Sequence, residues 1–339
     1  MDMNSENWSI VPAEAELKMI RRTIRRRSWK TVFTSLLLAA AIFLGGFHFL
    51  IPAVEKTYWN PETHTYAPMY SDLEFTLNAY SELFVPGYSV TGVNTAKTGF
   101  AAYNLAVACV DSRNGNTFSY FNASLVKDTL TVPYGLWQYA IPGTFYRGDN
   151  GVTDPNENVR EVLQQLPEYI MVRADITLPK DVPMNRVYLL QDLLRSDNPM
   201  VQSGIDWVAI RTCPEGERVY PICGMKPFRD SIGYGLEGDI NSSYPEFHLE
   251  EISTASLEQH FKSLLRFSMD RAKEGRGLLP EDSIPEENYY ETTLRYVEEN
   301  GVYAYGCTVT ATPKQLLFLL NEGHACNLTI LDAWIRFYN

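Results

Sequence analysis

Several stretches of this 339-residue chain carry the residue types that chemistry needs, and their spacing decides what each can do. GYGLEG, with Gly233, Gly235 and Gly238, has the letters of a dinucleotide fingerprint. That motif works only between a strand and a helix whose N-terminus meets the pyrophosphate. Here Pro227-Phe228-Arg229-Asp230 precedes it and Asp239-Ile240-Asn241-Ser242-Ser243 follows, so a loop is expected. Asp154, Asn156 and Asn158 copy the first ligands of a calcium loop. Val159 then stands where glycine must turn the chain, and Gln165 where a bidentate carboxylate is required. A helix cap accounts for them better.

Nucleophiles fare no better. Ser124 and Lys127 spell S-x-x-K without the S-D-N or K-T-G that complete that machinery, and Gly87-Tyr88-Ser89 meets Thr91 where an elbow needs its second glycine. The histidines, His48, His64, His248, His260 and His324, include no i, i+4 pair; His324-Ala-Cys326 is the nearest approach to a ligand pair. The expectation is a protein that is not an enzyme and has no cofactor or metal.

Among five cysteines, Cys213 and Cys223 bracket the turn-rich PEGERVYPI, a spacing at which a disulfide closes a hairpin loop easily. Cys109 and Cys307 sit in β-like runs and read as buried small apolar residues. An odd count leaves at least one free thiol.

What must position these residues begins with an uncharged run, Val32 to Val54, long enough to cross a bilayer, whose core needs roughly 20 apolar residues. Lys18, Arg21, Arg22, Arg25, Arg26, Arg27 and Lys30 precede it, whereas only Lys56, offset by Glu55, follows closely. Basic flanks stay inside, so the N-terminus is expected in the cytoplasm and the rest outside. Trp29, Tyr58 and Trp59 fit an interfacial belt, and the run is too long for a cleaved signal peptide.

Charge divides along the same line. Residues 1 to 30 hold seven basic against four acidic side chains, a net of +3, so the rest carries about −15 of the total −12. An acidic exterior excludes direct nucleic-acid binding there. The basic cluster is explained by topology and anionic lipid. Within it, Leu17, Ile20 and Ile24 stand at helical spacing, a short amphipathic helix that needs a partner to bury its stripe.

Four segments are expected: a basic cytoplasmic segment (1–30), a membrane helix (31–54), a small β-rich membrane-proximal domain (55–150) and a C-terminal α+β domain with a mixed sheet (151–339). Tyr103–Val110 and Thr117–Ser124 flank Asn114-Gly115 as a hairpin, with a third strand at Thr129–Pro133. The boundary falls in the turn-rich 147–158, where Asp154, Pro155 and Glu157 fit the N-cap, first and third positions of a helix to Leu166. Strands follow at Ile170–Leu178 and Ile205–Arg211, with a helix at Val187–Leu194 between them. Leu257, Phe261, Leu264 and Leu265 mark an amphipathic helix, and another covers Tyr289–Glu299. Val302–Thr310, a helix capped by Thr312 and Gln315, and Cys326–Phe337 end the chain as a βαβ crossover or a split α+β unit.

The blocks LPEYIMVRADITL (from Leu166), GIDWVAIRT (Gly204), IGYGLEG (Ile232), LEQHFKSLLRF (Leu257), LRYVEENGVYAYGCTVTATPKQLLFLLNEG (Leu294) and the final ILDAWI occur in an order that resembles the C-terminal domain of the sigma factor regulators, membrane-bound anti-sigma proteins of Firmicutes. The basic stretch, span and YWNP resemble the family's N-terminal region. The resemblance implies a single-pass regulator whose cytoplasmic part restrains an extracytoplasmic-function sigma factor while its exterior receives an envelope signal. One departure stands out: many anti-sigma proteins clasp their partner with a cytoplasmic domain, often zinc-containing, and here that segment has about 30 residues without His or Cys. The alternative is a membrane-anchored exterior module for an envelope component, with no sigma partner.

Overall fold

In the computed structural model, residues 14–65, 71–111, 117–132, 145, 147, 155–195, 203–215, 217, 222–227, 243–247, 252–272 and 288–335 are described. The chain falls into two compact units, Met1–Tyr58 and Trp59–Asn339, and is α+β as expected.

The described residues of the first unit are almost all helical. Helix α1 (Glu14–Gly45) passes into a π-helical turn at Gly46–Leu50 and ends in α2 (Ile51–Glu55). The wider turn has local causes: Gly45 and Gly46 hold a helix weakly, and Pro52 has no N–H to return to the preceding turn. The N–H of Ile51 accordingly reaches Gly46 O, five residues back. Glu16–Glu55 spans 40 residues at mean hydropathy 2.1 over its most apolar window. At 1.5 Å per residue that is about 60 Å, twice the roughly 30 Å of a bilayer core, so the helix is long enough to cross one with turns to spare.

The second unit is built around a helix that sequence periodicity does not announce. Helix α3 (Asp72–Phe84) is buried along all 13 residues, polar ones included. Its start is encoded nonetheless, because the Ser71 side chain accepts the Glu74 N–H at N3. Strands β1 (Tyr88–Gly99), β2 (Ala102–Asp111), β3 (Thr117–Val126) and β4 (Thr129–Thr131) follow as an antiparallel meander. The expected hairpin is present in register from Ala102↔Val126 to Asp111↔Thr117, and its Asn114-Gly115 turn lies outside the described residues. Strand β1, polar and bulged, had no counterpart in the sequence expectations.

Helix α4 (Glu157–Gln165) starts later than its residues suggest, since Asn156, not Asp154, precedes it. The Asn156 amide makes a different connection: it donates to Cys326 O at 3.0 Å and accepts Leu328 N–H at 2.9 Å. Residues 148–154, most of the expected boundary, lie outside the described residues.

Strand β5 (Ile170–Pro183), α5 (Met184–Leu194), β6 (Gly204–Ile210), the short β7 (Gly224–Met225), α6 (Thr254–Asp270), α7 (Tyr289–Asn300), β8 (Tyr303–Ala311), α8 (Pro313–Asn321) and β9 (Asn327–Ile335) complete the chain. The five-stranded order is β7-β6-β8-β5-β9. Every described pairing in it is antiparallel, which corrects the expected mixed sheet. β8 and β9 run parallel to each other with β5 inserted between them, and β5 and β6 likewise flank β8. Of the two closing topologies, the split unit is therefore the one found, and it occurs twice, giving the β-α-β-β-α-β arrangement.

The observed caps match the residues that encode them. Thr312 and Gln315 form a full capping box ahead of Pro313, and Ser253 with Ser256 forms another ahead of α6. Gln315 also donates to Leu194 O at 2.5 Å, which ties α8 to the end of α5 on one sheet face. Helix α3 packs against β1, α6 and β7, and both sheets contribute to one buried cluster that includes Leu105, Leu125, Val172, Ile176, Phe261 and Leu264.

Candidate functional site

Leu17, Ile20 and Ile24 all lie on α1, exposed at 39%, 50% and 61%. With Arg21, Arg22, Arg25, Arg26, Arg27 and Lys30, all exposed on the same helix, they form an apolar stripe set in a basic surface. No break separates this stripe from the start of the apolar run: α1 carries Leu17, Ile20 and Ile24 together with Val32 to Gly45.

In the second unit, charged groups gather where β5 departs from its partner. The β5–β8 register shifts between Thr177 and Val182, so residues 178–181 bulge outward and present Asp181. Arg211 holds its carboxylate with Nε at 3.0 Å and the second guanidinium nitrogen at 3.1 Å, while Arg147 binds Asp181 directly and Glu215 at 2.5 Å. Arg147 also donates to Leu178 O at 2.9 Å. The Arg211 guanidinium lies 4.1 Å from the centre of the Tyr305 ring. Burial would raise the Asp181 carboxyl, but hydrogen bonds and charge from the two arginines hold it below its ordinary value. This is a tie across three segments. Replacing Asp181 by Asn should cost about 1–3 kcal/mol, read as a lowered denaturation midpoint, because it removes a charge-assisted acceptor shared by two cations.

Beside the bulge, a groove of about 570 Å³ runs between residues 178–183, the Val187, Leu190 and Leu193 face of α5, and the turn at Gly323-His324. Lys180 and Arg186 stand at its margin.

The cysteines contribute no reactive group. All five are free thiols, so the expected Cys213–Cys223 bridge is not formed in the structure. Both are buried; Cys213 Sγ donates to Glu217 O at 3.3 Å, and burial pushes Cys223 up to about 12. A thiol kept protonated in this way is a poor nucleophile. Cys307 is buried and pushed up in the same sense, in keeping with a small apolar residue.

The deepest polar constellation joins α3 to α6. His260 is fully buried, with Nε2 3.0 Å from Glu82 Oε1 and Nδ1 2.8 Å from Glu246 O. Glu82 Oε1 also accepts the Lys226 N–H at 3.2 Å, and Glu82 O accepts the Trp207 indole N–H at 2.7 Å. Burial alone would lower the imidazole. The Glu82 carboxylate, by charge and hydrogen bond, and the carbonyls of Glu246 and Phe247 outweigh it and hold His260 above its ordinary value. Lys226 continues the chain, with Nζ donating to Ser89 Oγ at 2.7 Å. The group pins helices and strands from both sheets to one another. The inward place of His260 is legible from its position between Leu257 and Phe261, whereas its partner Glu82, 178 residues away in sequence, is not.

The remaining motifs resolve individually. Gly233, Gly235 and Gly238 lie outside the described residues. Ser124 is on β3 and Lys127 turns the chain at φ +57°, so they do not form a catalytic pair. The His324 ring lies against Phe318, while Cys326 Sγ donates to Thr177 O at 3.4 Å. Among the described residues no group of three or more His, Cys, Asp or Glu could hold a metal ion.

Taken as a class, this is an α+β protein with one helix near its N-terminus long and apolar enough to cross a membrane. In comparisons with known proteins, no family model, no curated protein and no solved structure matches the chain.

Proposed function

We propose that this chain is a single-pass membrane regulator resembling anti-sigma factors. Residues 59–339 act outside as a sensor or interaction module, and residues 14–30 hold a sigma factor or a co-regulator at the cytoplasmic face. The observation that supports this most is the unbroken helix from Glu14 to Gly45, which carries Leu17, Ile20 and Ile24 exposed, together with Val32 to Gly45 of the apolar run. A stripe of three aliphatic side chains is too small to fold alone and suits helix-in-groove binding, in which a partner buries such anchors. The basic residues around it fix orientation and favour an acidic partner or lipid surface. No direct contact with nucleic acid and no catalysis is part of this reading.

Deleting residues 1–30 tests it through transcription. The expected result is constitutive expression of one sigma-dependent gene set, with the same outcome for Leu17→Asp/Ile20→Asp/Ile24→Asp in a protein that still reaches the membrane. Unchanged expression in both would refute the reading. Swapping residues 1–17 while keeping the basic cluster separates it from the alternative, an exterior binding module whose tail only orients the span: the module predicts full retention of phenotype.

A further inference from the structure

The four-stranded sheet has a second, open face whose composition is unusual for a strand surface. Its inward residues (Tyr103, Leu105, Val107, Phe121, Leu125) join the core, so the alternate residues point away. The pairing register arranges those outward residues in three rows: Gly92–Ala108–Tyr120, Asn94–Ala106–Asn122, and Ala96–Asn104–Ser124–Thr131. Rows lie roughly 7 Å apart along the strands and neighbours within a row about 5 Å apart. The second and third rows line a shallow trough of about 650 Å³ whose ten lining residues include no ionisable group, in a chain that is 21% charged, and the row that ends in Tyr120 runs beside it.

Three features distinguish this face from an ordinary solvated one. Asn is depleted in strands, and here three stand exposed within β1, β2 and β3; residues that break a local rule without a packing gain tend to mark function. The Asn94, Asn104 and Asn122 side chains make no hydrogen bond with any described residue, so each leaves two donors and an acceptor directed outward. Tyr120 is 76% exposed, and its row neighbours are Gly92 and Ala108, the former with nothing within 4 Å of where a Cβ would stand. With only a methyl group and a hydrogen beside it on β2 and β1, the Tyr120 ring has no bulky row neighbour to screen its face from solvent.

We propose that this face binds a neutral polysaccharide of the cell envelope. Unpartnered amides pair with vicinal hydroxyls, the Tyr120 ring takes the C–H face of a pyranose, and an uncharged trough selects against polyanions, whose desolvation no cation there would offset. The inference rests on the reading that residues 59–339 lie outside the membrane, and names the class of envelope component they contact.

The test is titration of the full-length protein in detergent micelles with neutral hexasaccharides (chitohexaose, cellohexaose, maltohexaose) and, in parallel, heparin. Saturable, salt-insensitive binding of at least one neutral hexasaccharide is expected, weakened about tenfold or more by Tyr120→Ala and by Asn104→Ala/Asn122→Ala. These side chains are on the outer face, so melting temperatures should be unchanged and folding defects excluded. Absence of neutral binding, binding that survives both variants, or preference for heparin would each overturn the proposal. No cytoplasmic partner is needed in this assay, so its failure leaves the sigma-factor reading intact, and failure of that reading leaves this one intact.

Discussion

Replacing Glu82 by Ala should destabilise the Trp59–Asn339 unit by about 3–5 kcal/mol, since it leaves the buried His260 imidazole, held toward its charged form, without its carboxylate partner. His260 Nε2 and the Lys226 N–H both meet the carboxylate of this residue, and neither His260 nor Glu82 has more than 1% of its side chain exposed. Chemical denaturation of the detergent-solubilised protein, followed by far-UV circular dichroism, reads the change in midpoint. Glu82→Gln keeps an oxygen for both donors and should cost less. The pair also sets a pH dependence. His260 is held above its ordinary 6.5 in the folded protein, so its protonated form is the stabilising one. Its contribution is fully present below about pH 6.5 and is lost as pH rises through the folded value. Melting temperature should therefore fall as pH rises above about 6.5 in the natural protein, and this slope should flatten in Glu82→Gln.

Trp207→Ala should cost a similar amount, about 3–5 kcal/mol, by a different route. The indole is fully buried, donates to Glu82 O at 2.7 Å and stacks on Phe145 at 6.4 Å between centroids. The β7 backbone lies so close that a Cβ on Gly224 would come within 2.4 Å of the indole ring. Truncation thus leaves a cavity that β7 cannot fill without abandoning its pairing with β6. Because β7 leads directly to Lys226, whose N–H binds Glu82, the double variant Trp207→Ala/Glu82→Ala should lose less than the sum of the two. Strict additivity would show that the two sites are independent.

What the sequence revealed followed from how local each signal was. The strand, capped helix and strand at the C-terminus were legible because Thr312, Pro313 and Gln315 encode a cap and β8 is a run of small and β-branched residues, whereas the choice between a crossover and a split unit was not. The hairpin of β2 and β3 was legible from Asn114-Gly115 between two β-like runs, and α6 from its stripe at Leu257, Phe261, Leu264 and Leu265. Helix α3 was hidden because burial on every side removes the periodicity that marks a surface helix, leaving only Ser71 and Glu74 as a signal. Strand β1 was hidden for the opposite reason: Asn94, Thr95, Ala96 and Lys97 face outward or sit half-exposed, with little apolar alternation to read. The antiparallel sheet order could not be read at all, since it depends on β5 inserting between β8 and β9 across more than a hundred residues. Among the candidate sites, the stripe at Leu17, Ile20 and Ile24 came from spacing alone, whereas the His260–Glu82 pair and the amide rows needed the register of distant strands and helices.

The regulator reading is tested most directly by a photo-crosslinking amino acid placed in turn at residues 17, 20 and 24 of the intact protein in its native membrane, with residue 22 as the off-stripe control. Adducts from the three stripe positions to one sigma factor or co-regulator, absent from position 22, are the expected result. Adducts to lipid alone, or equal labelling from all four positions, would contradict it.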